Sequence, residues 1–103
     1  MSDEYTTGSY RMEMLKSSNW MPWKRRMLAV LRDLGLEKYI AEDAKPPESA
    51  KGETPSEETL KAIEEWRAGD ARARTRIEFA IRDSEMIHIS GAETASQMWK
   101  QLS

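Results

Sequence analysis

Four tryptophans in a chain of 103 residues, Trp20, Trp23, Trp66 and Trp99, each stand near a predicted helix start or on an apolar stripe of helical period. The densest stripe is Trp23, Met27, Val30, Leu31 and Leu34, whose spacings of three and four place all five on one face of a helix. Asn19 is positioned as its N-cap, Pro22 is tolerated in a first turn, and Gly35 stands where a left-handed residue ends a helix. Leu28 lies beside the stripe and widens the apolar arc enough to touch two neighbours. Leu36, Tyr39 and Ile40 then supply a short second helix.

A second stripe runs through Leu60, Ile63, Trp66, Ala73, Ile77, Ala80 and Ile81. Its start is marked by Thr54-Pro55-Ser56-Glu57, which matches a capping box with Thr54 as cap, Pro55 at the first helical position and Glu57 three residues on. Gly69-Asp70 interrupts the pattern and puts Asp70 on the apolar side. Either the helix restarts there with Asp70 as cap, or Asp70 is held by Arg74 one turn later. The favoured reading is one long helix to about Asp83, with Phe79 opposite the stripe and in need of a second packing surface.

A short helical turn follows from Asp83 to Ile89, and Thr94-Ala95-Ser96-Gln97 is another capping box, opening a helix whose apolar face is Met98, Trp99 and Leu102. Pro46, Pro47, Gly52 and Pro55 make residues 44–55 a loop, either mobile or a contact site. Residues 1–15 are expected to be a mobile arm with a short extended piece at its end, Tyr10 to Leu15, and residues 16–103 a single helical domain. The expected fold is all-α, a small bundle of about four or five helices. Its core is expected to contain Trp20, Trp23, Met27, Leu31, Leu34, Trp66, Ile77, Ile81, Trp99 and Leu102. Because the last helix stops on its core face, the chain is expected to be a fragment of a longer polypeptide.

Chemistry-bearing residues form no constellation. Cysteine is absent, which removes disulfides and thiolate zinc sites together and makes a reducing compartment the expectation. His88 is the single histidine, and Ser84 and Ser90 near it lack the Gly-x-Ser-x-Gly elbow of a nucleophile. Adjacent carboxylates such as Glu57-Glu58 and Glu64-Glu65 diverge by about 100° on a helix and do not converge on a substrate. No phosphate loop or dinucleotide fingerprint occurs. No catalytic residue, metal, cofactor or small-molecule substrate is therefore expected. No apolar run approaches the ~20 residues of a membrane-spanning helix, and no membrane partner is expected.

Charge is uneven despite a net value of −2. Lys24, Arg25, Arg26 and Arg32 form one basic block, Arg67, Arg72, Arg74, Arg76 and Arg82 another, and the stretch from Glu37 to Glu65 between them is acidic. Such blocks on one small domain suit contacts between copies of the same chain. Lys24-Arg25-Arg26 beside Trp20 and Trp23 also holds the ingredients of strand binding, but Trp23 belongs to the core stripe and leaves only cations outside. Specific nucleic-acid binding by this chain is therefore not the favoured reading.

Lys16-Ser17-Ser18-Asn19-Trp20, then Trp23-Lys24-Arg25-Arg26-Met27, then Leu34-Gly35-Leu36-Glu37-Lys38-Tyr39-Ile40 is similar to the opening of Gag polypeptides of Ty1/copia-type LTR retrotransposons. Trp66 with Asp70 and Ala73, Ile77 and Ser84, His88 and Ile89, and Thr94-Ala95 with Trp99 and Leu102 continue that order and spacing. The resemblance implies the N-terminal lobe of a capsid-forming Gag domain, from an active element or from a host gene domesticated from one. It implies self-association into rings or shells, cytoplasmic virus-like particles, and RNA enclosed by the full-length protein. Lys24, Arg25, Leu28, Arg32 and Phe79 are the candidate assembly surface. The rival reading is a helical protein- or peptide-binding module derived from a domesticated Gag.

Overall fold

The computed structural model describes residues 4–7, 10–49 and 52–103, with side chains from residue 10 onward. Among the described residues three α-helices and two 3-10 helices build a single core, with a pair of short N-terminal strands attached, so the chain is a small all-α bundle. Helix α1 spans Trp20–Asp33 and buries Trp23, Met27, Val30 and Leu31, as its periodicity requires. Gly35 ends it at φ +73°, a conformation that a Cβ would strain. There the Gly35 N–H donates to the Arg32 carbonyl at 3.1 Å and the Leu36 N–H to the Leu31 carbonyl at 2.7 Å, the paired bonds of a Schellman end. The chain turns at once into a 3-10 helix, Glu37–Ile40, which buries Tyr39 and Ile40.

Asn19 stands at the N-cap position of α1 without capping it through its side chain. Its Oδ1 accepts from the Lys16 N–H at 2.8 Å and its Nδ2 donates to the Met14 carbonyl at 3.0 Å. The expected cap is thus spent on closing the preceding turn. That turn presents Leu15, which is 3% exposed, to the core.

Helix α2 spans Glu57–Phe79 and runs unbroken through Gly69-Asp70. Its cap is Ser56, whose Oγ accepts from the Thr59 N–H at 3.1 Å, so the capping box expected at Thr54 lies two residues too early. Ser56 has an extended backbone and is followed at once by Glu57 and Glu58, whose charges favour the helix N-terminus. Thr54 and Pro55 stay outside the helix. The far end also comes earlier than Asp83, because Ile81 leaves the helix to form a parallel bridge with Leu15. The Ala80 carbonyl accepts from the Leu15 N–H at 2.8 Å, and the Arg82 N–H donates to the Leu15 carbonyl at 3.0 Å.

A second 3-10 helix, Asp83–Ile89, leads to α3, Ala95–Leu102. Thr94 caps α3 by accepting from the Gln97 N–H at 3.1 Å. The Gln97 Oε1 reaches back one residue beyond the cap, to the Glu93 N–H at 2.7 Å.

At the other end of the chain, β1 (Glu4–Thr7) pairs antiparallel with β2 (Tyr10–Glu13), Glu4 opposite Glu13 and Thr7 opposite Tyr10. The extended piece expected over Tyr10 to Leu15 corresponds to a strand that ends at Glu13. Glu4–Thr7, inside the stretch read as an arm, is its partner strand, while residues 1–3, 8 and 9 lie outside the described residues. Met12 and Leu15 are buried, so the core begins before residue 16.

Trp23, Met27, Leu31, Ile77 and Ile81 are the large, fully buried side chains at the centre. Trp20, Leu34, Trp66, Trp99 and Leu102, expected in the same core, are partly buried and pack along its edge. For indoles this is the ordinary outcome, since so large a side chain is seldom wholly enclosed in a small domain. Met12, Leu15, Val30, Leu36, Tyr39, Ile40, Ile89 and Met98, with Ala73, Ala80 and Ala95, also lie in the interior.

Candidate assembly surface

Three of the tryptophans form one cluster that joins the start of α1 to α3. Ring centroids lie 5.7 Å apart for Trp20 and Trp23, 6.1 Å for Trp20 and Trp99, and 5.8 Å for Trp23 and Trp99. The buried Trp23 Nε1 donates to the Ala80 carbonyl at 2.9 Å, which ties this cluster to the end of α2. The fourth, Trp66, meets Tyr39 edge to face at 5.7 Å. That contact depends on Gly69, because a Cβ built there would fall 2.0 Å from the Tyr39 hydroxyl and 2.2 Å from Cζ.

Asp70, 3% exposed, is the buried acid of the core. Its Oδ2 accepts from Arg74 Nε at 3.0 Å, the intrahelical partner that the sequence offered. Its Oδ1 accepts from the Ala95 N–H at 2.9 Å and so satisfies a first-turn donor of α3. Both members of the interrupting Gly69-Asp70 pair therefore serve partners from other elements, Tyr39 and Ala95.

The exterior of α1 is cationic. Lys24 Nζ sits 5.5 Å from the Trp20 ring centroid, and Arg25 and Arg26 are exposed. Arg32 pairs with Glu37 at 2.6 Å across the helix end, at exposed positions where such a pair stabilises little. Leu28 is only partly buried and rests against the core, so the wide arc of α1 is used mainly within the domain. Phe79 is 63% exposed at the end of α2 and finds no packing surface among the described residues. Lys24, Arg25, Leu28 and Arg32 thus share α1, while Phe79 belongs to α2. Met21, Leu60, Met86 and Ile87 are further exposed apolar side chains absent from the expected surface. Of these, Leu60 belongs to the expected inner stripe of α2, yet it is 55% exposed, and none of residues 57–68 is buried.

A groove of about 280 Å³ lies between α1, the first 3-10 helix and α3, lined by Lys24, Ile40, Glu42, Ser96, Trp99 and Lys100 among others. His88 is exposed with its Nε2 3.9 Å from Glu85 Oε1, and the Ser84 hydroxyl donates to Glu85 Oε2 at 3.3 Å. Among the described residues no three His, Cys, Asp or Glu side chains gather as metal ligands, and no helix is long and apolar enough to cross a membrane. At the hairpin, the Tyr10 hydroxyl donates to the Asp33 carboxylate, and that bond raises the Tyr10 pKa above 10.0.

A helical domain with one indole-rich core and a charged, apolar-studded exterior is the class that this geometry defines. The family model for the gag-polypeptide of LTR copia-type matches residues 27–103, and the chain belongs to that family. The match holds the Leu34 to Ile40 segment, Trp66, Asp70, His88 and the Thr94 to Leu102 segment, while Trp20 and Trp23 lie upstream of it. No curated protein and no solved structure matches the chain.

Proposed function

We propose that this Gag domain is a building block of a shell: copies associate through weak, repeated contacts into virus-like particles that enclose the element's RNA in the cytoplasm. The observation that carries the reading is the contrast between interior and exterior. Among the described residues every buried side-chain polar atom is satisfied, yet Met21, Leu60, Phe79 and Ile87 are more than half exposed. Apolar side chains left outside a well-satisfied core suit contact with other protein surfaces. Contacts between different patches of identical copies close into rings when the rotation returns on itself, and extend into open arrays when it does not.

The test is sedimentation and electron microscopy of full-length Gag carrying Phe79→Asp or Arg25→Glu, both at exposed positions. Wild-type protein is expected to associate with rising concentration and to form particles, and each substitution to weaken assembly without unfolding the domain. A wild-type Gag that stays monomeric at high concentration and forms no particles in cells refutes the shell reading. A peptide-binding module would behave in that way until its ligand was added.

A further inference from the structure

The first turns of α2 are built unlike the rest of that helix. All four of its buried residues, Gly69, Asp70, Ala73 and Ile77, lie in the second half, and no residue from 57 to 68 is buried. Twelve residues, about 18 Å of helix, thus carry a face that the domain does not cover. Glu57, Leu60, Lys61 and Glu64 recur at i, i+3, i+4 and i+7, so they share one face, and all four are exposed. Leu60 is 55% exposed at its centre.

The groove between α1 and α3 has the opposite pattern. Its apolar floor is Ile40 and Trp99, and around it stand two cations, Lys24 and Lys100, and one anion, Glu42. Among the described residues none of these three charges, nor those of Glu57, Lys61 and Glu64, is in an ion pair within the chain. Two acids and a base around a leucine on one surface therefore meet two bases and an acid around an apolar floor on another.

We infer that the groove receives the Glu57-Leu60-Lys61-Glu64 face of α2 from a second copy of this chain, with Leu60 against Ile40 and Trp99, Glu57 and Glu64 facing Lys24 and Lys100, and Lys61 facing Glu42. The inference rests on the shell reading and specifies one of its contacts. Because the two surfaces differ, the contact is heterologous, and each copy keeps a free groove at one end and a free α2 face at the other. Opposite charges fix the register of such a contact, and like charges in the same places oppose it.

Two variants separate the surfaces without touching the core: Leu60→Asp disables the helix face, and Lys24→Glu with Lys100→Glu disables the groove. Each alone is expected to weaken wild-type self-association on the order of 100-fold, Leu60→Asp because it sets a carboxylate against the apolar floor, and Lys24→Glu with Lys100→Glu because it sets like charges opposite Glu57 and Glu64. Mixed together they should form a one-to-one dimer and nothing larger, since one intact face still meets one intact groove. The natural chain has no cysteine, so a mixture of Glu42→Cys and Lys61→Cys protein should give a disulfide-linked heterodimer on mild oxidation, far above the yield from either variant alone.

If wild-type protein associates while both surface variants associate equally well, this contact is wrong and the shell reading stands. If wild-type protein does not associate at all, both fall. Protection of Lys24 and Lys100 from acylation by an unrelated acidic, leucine-containing peptide, with no protection by added wild-type copies, would assign the groove to a foreign partner and overturn the inference.

Discussion

Gly69→Ala should destabilise this protein, although the same change in an ordinary helix interior stabilises it. Alanine is favoured over glycine within a helix by about 1 kcal/mol. Here the new Cβ would stand 2.0 Å from the Tyr39 hydroxyl, 2.2 Å from Cζ and 2.6 Å from Cε2. A normal contact of about 3.4 Å or more requires the whole ring to move. Tyr39 is 7% exposed and its ring is set against Trp66 at 5.7 Å, so it has no open direction in which to swing. Overpacking of this kind costs about 1 to 3 kcal/mol, and loosening the aromatic pair adds about 0.5 to 1.5 kcal/mol. Against the gain in propensity the net is a loss of about 0.5 to 3.5 kcal/mol, read as a Tm lower by about 2 °C or more. Thermal unfolding followed by tryptophan fluorescence measures it. The decisive control is the same substitution in a Tyr39→Ala background, where the clash is gone and the helical preference should reappear as a gain. A higher Tm for Gly69→Ala in the otherwise natural chain refutes the argument.

Three further outcomes follow from contacts within the domain. Asp70→Ala removes the acceptor for the Ala95 N–H and should cost about 1 to 3 kcal/mol in urea unfolding, with faster hydrogen exchange at Ala95; Asp70→Asn keeps an acceptor and should cost less. The Arg74 arm adds little to either figure, because its side chain is 39% exposed. Trp23→Ala should cost about 3 to 5 kcal/mol, and Trp66→Ala less, because Trp23 is 1% exposed and Trp66 stands at the core's edge; equal losses would contradict that placement. The bond to Asp33 raises the Tyr10 pKa in the folded protein, so its stabilising contribution is complete below pH 10.0 and fades as pH climbs through the raised folded value. Urea unfolding should then show a loss of stability above pH 10.0, and Tyr10→Phe should remove that part of the pH dependence.

Much of the helical plan was legible because its signals are local. The three-and-four spacing of Trp23, Met27, Val30 and Leu31, the glycine after α1, and Thr94 three residues before Gln97 all act within about one or two turns of chain. Where two local signals competed, the reading faltered. Thr54 and Ser56 were both eligible caps for α2, and Asn19 offered its side chain equally to the helix and to the turn before it. The hairpin was half visible, since Tyr10 to Leu15 read as extended while its short polar partner Glu4–Thr7 carried no pattern of its own.

On the candidate surface, the sequence marked the cations of α1 and the off-stripe Phe79, because both stand out against the helical period. It placed Leu60 inward, because periodicity records which side chains share a face and not whether anything covers that face.

The sequence by itself determined a helical domain rich in tryptophan, with basic and acidic blocks and no grouping of catalytic residues. Tertiary structure alone decided why Gly69-Asp70 interrupts an apolar stripe, because the answer lies in Tyr39 and Ala95, distant in the chain and adjacent only when folded. It likewise decided which tryptophans are enclosed, and which apolar side chains remain outside when the one available core is full. The physical reason is range: periodicity and capping act over a few residues, whereas burial is settled by elements such as Trp23 and Ala80, which meet across 57 positions.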